Sequence, residues 1–133
     1  MTVLISYVPT PEGWPVLATG IREARLRDTS VALLNIALDH DCADDTFADD
    51  KDLDPVRDEL SAAGLRYTIL RDLDADNVAD AILAAADRAN AELIVMGHRP
   101  RSPLAAALPI DTVRRVLAGA RCPVLTVPPR TDA

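Results

Sequence analysis

At 133 residues, 49% hydrophobic and 3% aromatic, the chain is long enough to bury one aliphatic core, too short for two ordinary domains and too apolar to be disordered throughout. A formal net charge of −7 repels a phosphate backbone and argues against nucleic-acid binding, with Arg99, Arg101, Arg114 and Arg115 as the one local concentration of positive charge. The N-terminal apolar run is shorter than a signal peptide or a membrane span requires and follows no basic segment, so the expectation is a cytoplasmic protein with no membrane partner.

The β-branched and aliphatic run from Val3 to Val8 stops abruptly at Pro9 and Pro11, which reads as a buried first strand. From Pro15 to about Arg27, Val16, Leu17, Ile21 and Ala24 recur at helical spacing. Trp14, just ahead of them, reads as a packing residue at the entrance of this helix. Val31 to Ala37 is apolar on both faces, as a parallel strand covered by helices tends to be. An Asp-rich stretch over residues 39–54 has no apolar periodicity and reads as a solvated, mobile loop. Asp54 then suits an N-cap and Pro55 a first helical turn, giving a second helix that closes at Gly64.

Arg66 to Leu70 is a short third strand, and Asn77 to about Ala91 is a third helix with Val78, Ile82, Leu83 and Ala86 on one stripe. Glu92 to Met96 forms a fourth strand that stops at Gly97. Asp111 to Ala118 is a fourth helix closed by Gly119, and a last strand runs from Cys122 to Val127 before Pro128 and Pro129. Strands and helices alternate throughout, so the fold expected for residues 1–133 is a single α/β domain with a doubly wound, five-stranded parallel sheet. Ligands of such sheets bind beyond the carboxyl ends of the strands, where the strand order reverses.

Two segments carry a resemblance: Ala91-Glu-Leu-Ile-Val-Met-Gly97, and Val116-Leu-Ala-Gly-Ala-Arg-Cys-Pro-Val-Leu-Thr-Val127. With the opening Val3-Leu-Ile-Ser-Tyr7 they resemble the universal stress protein family over nearly the whole chain. The resemblance implies a flavodoxin-like strand order 3-2-1-4-5, of the kind also seen in adenine nucleotide alpha-hydrolase-like folds. It further implies a homodimer in which last strands pair, here through Val124, Leu125, Thr126 and Val127. An open edge strand is a template for such pairing, although Pro123 and Pro128 could blunt it.

One branch of that family binds ATP through Gly-x2-Gly-x9-Gly-(Ser/Thr) after the fourth strand. Aligned on Gly97, this chain has Pro100 at the second glycine, Ile110 at the third and Asp111 at the hydroxyl. Val8 stands where the family usually has a nucleoside-contacting Asp. The family-equivalent nucleotide positions are therefore Val8, Ile36, Met96, Gly97, Arg99, Pro100, Ile110, Asp111 and Thr112, and most have lost the chemistry of the motif. Proline has no N–H to donate, a branched side chain blocks close backbone approach, and an aspartate capping Thr112 to Arg114 occupies an anion's place.

The resulting expectation is a non-enzymatic stress-response homodimer with a degenerate loop and no cofactor. Its alternative is an adenine-nucleotide-binding regulatory module, at most a weak ATPase, in which Arg99 and the auxiliary anion contact Arg101 replace the lost contacts. An apolar or differently charged metabolite in a pocket lined by Val8, Ile36 and Met96 is a third reading. No metal is expected: the acidic loop lacks calcium-loop spacing, and His40, His98, Cys42 and Cys122 lack zinc spacing. Ser6, Ser30, Ser61 and Ser102 lie in no nucleophile-elbow pattern, and Asp111 with Arg114 and Arg115 reads as a cap followed by a charged helix face.

Overall fold

In the computed structural model, which describes residues 1–7, 13–38, 50–75, 78–97 and 110–128, the apolar runs lie side by side as parallel strands. Strand β1 (Thr2–Ser6) leads through helix α1 (Gly13–Arg27) to β2 (Ser30–Leu38), and α2 (Asp50–Ala62) leads on to β3 (Tyr67–Ala75). Helix α3 (Val78–Ala89) then crosses to β4 (Ala91–Gly97), and α4 (Ile110–Gly119) to β5 (Val124–Val127). The sheet order is β3-β2-β1-β4-β5, as the resemblance implies. Each parallel neighbour needs a crossover, and the helices that make these crossovers cover the two faces.

Alternation along the strands divides the core in two. Val3, Ile5, Tyr7, Val31, Leu33, Leu93 and Val95 face α1 and α2, meeting Val16, Leu17, Ala24, Leu53, Val56 and Leu60. Leu4, Ala32, Leu34, Ile94 and Met96 face the other way, against Ala79, Ile82, Ala85 and Ala86 of α3 and Val113 and Val116 of α4. A central strand buried on both faces cannot alternate polar and apolar residues, which is why the middle of β1, Val3 to Ile5, is an unbroken aliphatic run.

Three helices end the same way. At α2 the Gly64 N–H donates to Ser61 O at 3.0 Å and the Leu65 N–H to Leu60 O at 3.2 Å, with Gly64 at φ 73°. That is a Schellman motif, which satisfies the last carbonyls of the helix and turns the chain toward the sheet. Asp28 plays the same part after α1 at φ 53°, with Thr29 N–H on Ala24 O at 3.0 Å, and Asn90 follows α3 at φ 52°. Asp and Asn tolerate this left-handed region better than other residues with a Cβ.

The structure corrects several boundaries. Helix α2 begins at Asp50, so residues 50–54 are helical rather than part of an acidic loop, and Asp54 and Pro55 lie inside it. Asp54 is therefore no cap; its carboxylate accepts from Arg57 at 3.3 Å, three residues along the helix. An acidic opening turn suits the positive end of a helix, which lets α2 start ahead of the proline. The remainder of the acidic stretch, residues 39–49, lies outside the described residues. Strand β3 continues past Leu70 because its main chain keeps pairing with β2 as far as Leu38↔Ala75, and ladder hydrogen bonds need no apolar side chain. Trp14 lies in the first turn of α1 with 43% of its surface exposed.

Gly119 is the last residue of α4 rather than a residue beyond its end, and it has no positive φ. Its role is room: a Cβ there would lie 2.8 Å from Leu83 Cδ1 of α3. Gly20 does the same between α1 and β1, where a Cβ would overlap Ile5 Cγ1 and Cδ1. The two kinds of glycine separate experimentally. Gly64→Ala, whose Cβ would have nothing within 4 Å, should cost about 1–2 kcal/mol from backbone conformation alone. Gly20→Ala should cost about 1–3 kcal/mol through overpacking. In urea unfolding, shortening Ile5 to Val should recover part of the loss at Gly20 and none at Gly64.

Candidate functional site

Crossovers from β1 and β2 pass over one face and lead outward toward β3, whereas those from β3 and β4 pass over the other and lead toward β5. The chain thus diverges between β1 and β4, and in doubly wound sheets the ligand crevice lies at such a switch point, outside the carboxyl ends of the strands. Ile5↔Val95 pairing puts Ser6 and Tyr7 of the first strand's end beside Met96 and Gly97. On the other flank the Tyr7 N–H donates to Leu34 O at 3.1 Å, and Gly97 pairs with Val127 across β5.

Among the described residues, two polar side chains at this end are buried. Ser6 is 7% exposed, and Asn35, in the middle of β2, is completely enclosed. By strand parity Ser6 lies on the α3/α4 side of the sheet, and Asn35 and Tyr7 on the α1/α2 side. A buried amide in an aliphatic strand needs polar partners to be tolerated, and Asn35 is not without an interaction partner. The sequence reading passed over it. The available signal was a lone amide inside Val31-Ala-Leu-Leu-Asn-Ile-Ala37, a run otherwise without a polar atom.

Of the positions singled out from sequence, Val8, Arg99, Pro100 and Arg101 lie outside the described residues. The main chain of Ile36 belongs to β2, opposite Asp72 of β3. Met96 is fully buried in the core on the α3/α4 face, so its side chain packs beneath the crevice instead of lining an open pocket. Gly97 has no positive φ, and a Cβ at this position would lie 3.0 Å from Val16 Cγ2 of α1. Helix α1 therefore leaves little room for a side chain there.

Ile110 opens α4 and Asp111 follows within the first turn, with Thr112 half-buried next to it. This corrects the assignment of Asp111 as an N-cap, since a cap precedes the first helical residue. Arg115 is tied to Asp80 of α3 at 3.6 Å, an exposed ion pair that links the two helices of that face. Among the described residues no group of three His, Cys, Asp or Glu side chains could hold a metal, and no helix is long and apolar enough to cross a membrane.

Strand β5 forms one edge of the sheet. The Ile94 N–H donates to Pro123 O at 3.0 Å, so the polar groups of Pro123, Leu125 and Val127 turn toward β4. Those of Val124 and Thr126 therefore point out of the sheet, away from the other described strands.

A doubly wound parallel α/β protein whose strand order reverses between β1 and β4 is the class defined by these features. The model of the Universal stress protein family matches residues 1–128, and the chain belongs to that family. A universal stress protein of Mycolicibacterium smegmatis is 30% identical over 127 residues, spanning 96% of this chain and 97% of the relative. Among solved structures, a universal stress protein in complex with cAMP superposes with a TM-score of 0.72 at 17% identity, covering 98% of both chains. The universal stress protein from Archaeoglobus fulgidus in complex with dAMP gives 0.60 at 21% identity, over 95% of this chain and 96% of that one.

Cys122, just ahead of β5, is a free thiol held mainly neutral: partial burial pushes its pKa up, and the negative charge of Asp87 adds to this. A raised thiol pKa means less thiolate at a given pH and slower alkylation. In a Cys42→Ser background, the iodoacetamide rate of Cys122 should rise only at a higher pH than that of a free cysteine. Asp87→Asn should move that profile back toward lower pH.

Proposed function

We propose that this chain is a cytoplasmic, non-enzymatic universal stress protein that acts as a homodimer and does not use ATP. The observation that carries this reading is the run from Gly97 to Asp111, in which Pro100, Ile110 and Asp111 occupy the places of two glycines and a hydroxyl. The motif's third glycine would stand in the first turn of α4, where backbone N–H groups and the helix dipole attract a phosphate. Ile110 adds bulk at that point, and Asp111 brings a like charge to it. Losing two charge-assisted hydrogen bonds weakens binding by roughly 3–6 kcal/mol. That is on the order of a hundred- to ten-thousandfold, enough to bring a micromolar site to irrelevance.

A second reading is favoured by the two relatives crystallised with cAMP and dAMP, each of which carries one phosphate rather than three. A nucleotide of that kind needs fewer anion contacts, and Arg99 and Arg101 would supply them. The chain would then be an adenine-nucleotide-binding regulatory module. Calorimetric titrations with Mg-ATP and with cAMP separate the two. No heat above background is expected for Mg-ATP, and a dissociation constant at or below about 10 µM, roughly −7 kcal/mol, would overturn the first reading. Tight cAMP binding abolished by Arg99→Ala with Arg101→Ala would establish the second.

Homodimerisation is proposed through the outward N–H and C=O groups of Val124 and Thr126, which offer a short ladder to a second β5. Thr126→Pro removes one outward donor while leaving the bonds to β4 intact. By light scattering after gel filtration, the wild type should run as a dimer and the proline variant as a folded monomer. A proline variant that remains dimeric would move the interface elsewhere.

A further inference from the structure

At the opposite end of the sheet from the crevice, the face covered by α3 and α4 is not filled. Further along this face its positions hold Leu4, Leu34, Ile94 and Met96, but at the amino ends of three adjacent strands they hold hydroxyls. Thr2 and Ser30 are paired across β1 and β2, and Thr68 lies opposite Ala32 on β3. Helix α3 stops short of them: it ends at Ala89, and the left-handed Asn90 turns the chain down into β4. What remains is a cavity of about 320 Å³ between the strand ends and the last turn of α3.

Its chemistry is one-sided. Arg88 is the single charged side chain lining it among the described residues, and it has no hydrogen-bond or ion-pair partner among them. Beneath it lie the hydroxyls, with Ala32, Leu70 and Ala89 as an apolar floor and wall. Thr2 Oγ1 and Ser30 Oγ are 3.0 Å apart, and Ser30 Oγ lies a further 3.5 Å from Met1 O, a carbonyl already served by the Thr29 hydroxyl. That last contact is long enough for the Ser30 proton to turn into the cavity without losing a good hydrogen bond.

We propose that this cavity is a second ligand site, for a small oxyanion carrying a short apolar group, such as a carboxylate or a phosphate monoester. Arg88 engages the oxyanion, the Thr68 and Ser30 hydroxyls donate to it, and the apolar group lies on Ala32, Leu70 and Ala89. The volume is at the lower end of the roughly 300–1,000 Å³ typical of ligand pockets, which selects a small molecule over a nucleotide. The carboxyl end of α3 opposes an anion, but its partial charge of about −0.5 is outweighed by the full charge of the guanidinium. In a chain of net charge −7, a cavity whose described charge is positive is where an anion is least repelled.

The test is a proton–nitrogen correlation titration of the full chain with sodium hexanoate and, separately, with hexyl phosphate. Saturable shifts confined to Thr2, Ser30, Ala32, Thr68 and Ala89 are expected from at least one of them, and the tighter one identifies the preferred headgroup. Arg88→Gln, on an exposed side chain that leaves the fold intact by circular dichroism, should weaken that binding roughly tenfold. Arg114→Gln, which removes an equal charge from the face of α4, should leave it unchanged, and hexylammonium should produce no shifts. Absence of localised shifts up to about 20 mM of either anion, or binding that Arg88→Gln does not weaken, overturns the proposal.

Discussion

Everything in this molecule is arranged around the burial of a parallel sheet on both faces. Val3, Leu4 and Ile5 of β1 are each wholly enclosed, and burial of side chains of this kind contributes about 1.5–3 kcal/mol apiece. Such a strand can carry no functional polar group along most of its length. Chemistry is displaced to the strand ends, where the covering helices begin or stop. The crevice at the carboxyl ends of β1 and β4 and the hydroxyl-lined cavity at the amino ends are both products of that exclusion.

The same burial accounts for how closely the helices approach. Gly20 lets α1 settle onto Ile5, Gly97 leaves room for Val16, and Gly119 lets α4 meet Leu83 of α3. These glycines are required by distance, whereas Gly64 is required by its backbone angle. The distinction bears on the site. At position 97, where the family's nucleotide loop begins, helix α1 leaves little room for a side chain.

Most of the architecture was legible because the core strands have no choice of composition. Val3 to Ser6, Val31 to Ala37 and Glu92 to Met96 announce themselves as aliphatic runs, and α1 and α3 by their spacing. The failures came where side-chain pattern and backbone pairing part company. The outer half of β3, Arg71 to Ala75, is held by main-chain hydrogen bonds at a sheet edge and carries no apolar signature. Helix α2 starts in an Asp-rich stretch that reads as solvated coil, because favourable dipole interactions at a helix start leave no periodicity to find. At the site, Asn35 was hidden by its apolar neighbours, and Gly97 and Gly119 read as the ends of elements because sequence cannot distinguish a need for angle from a need for space.

The placement of β1 has a consequence for how the chain must be made. One side of it pairs with residues 30–34 and the other with residues 91–95, so its two partners leave the ribosome at very different times. The β1-β2-β3 half can assemble while α3 is still being synthesised, but the central strand then presents an open edge until β4 has emerged. Non-local pairing of this kind is slow to form. The interval between the two pairings is when a nascent chain of this fold is most exposed to association with its neighbours, and when a holding chaperone has most to cover.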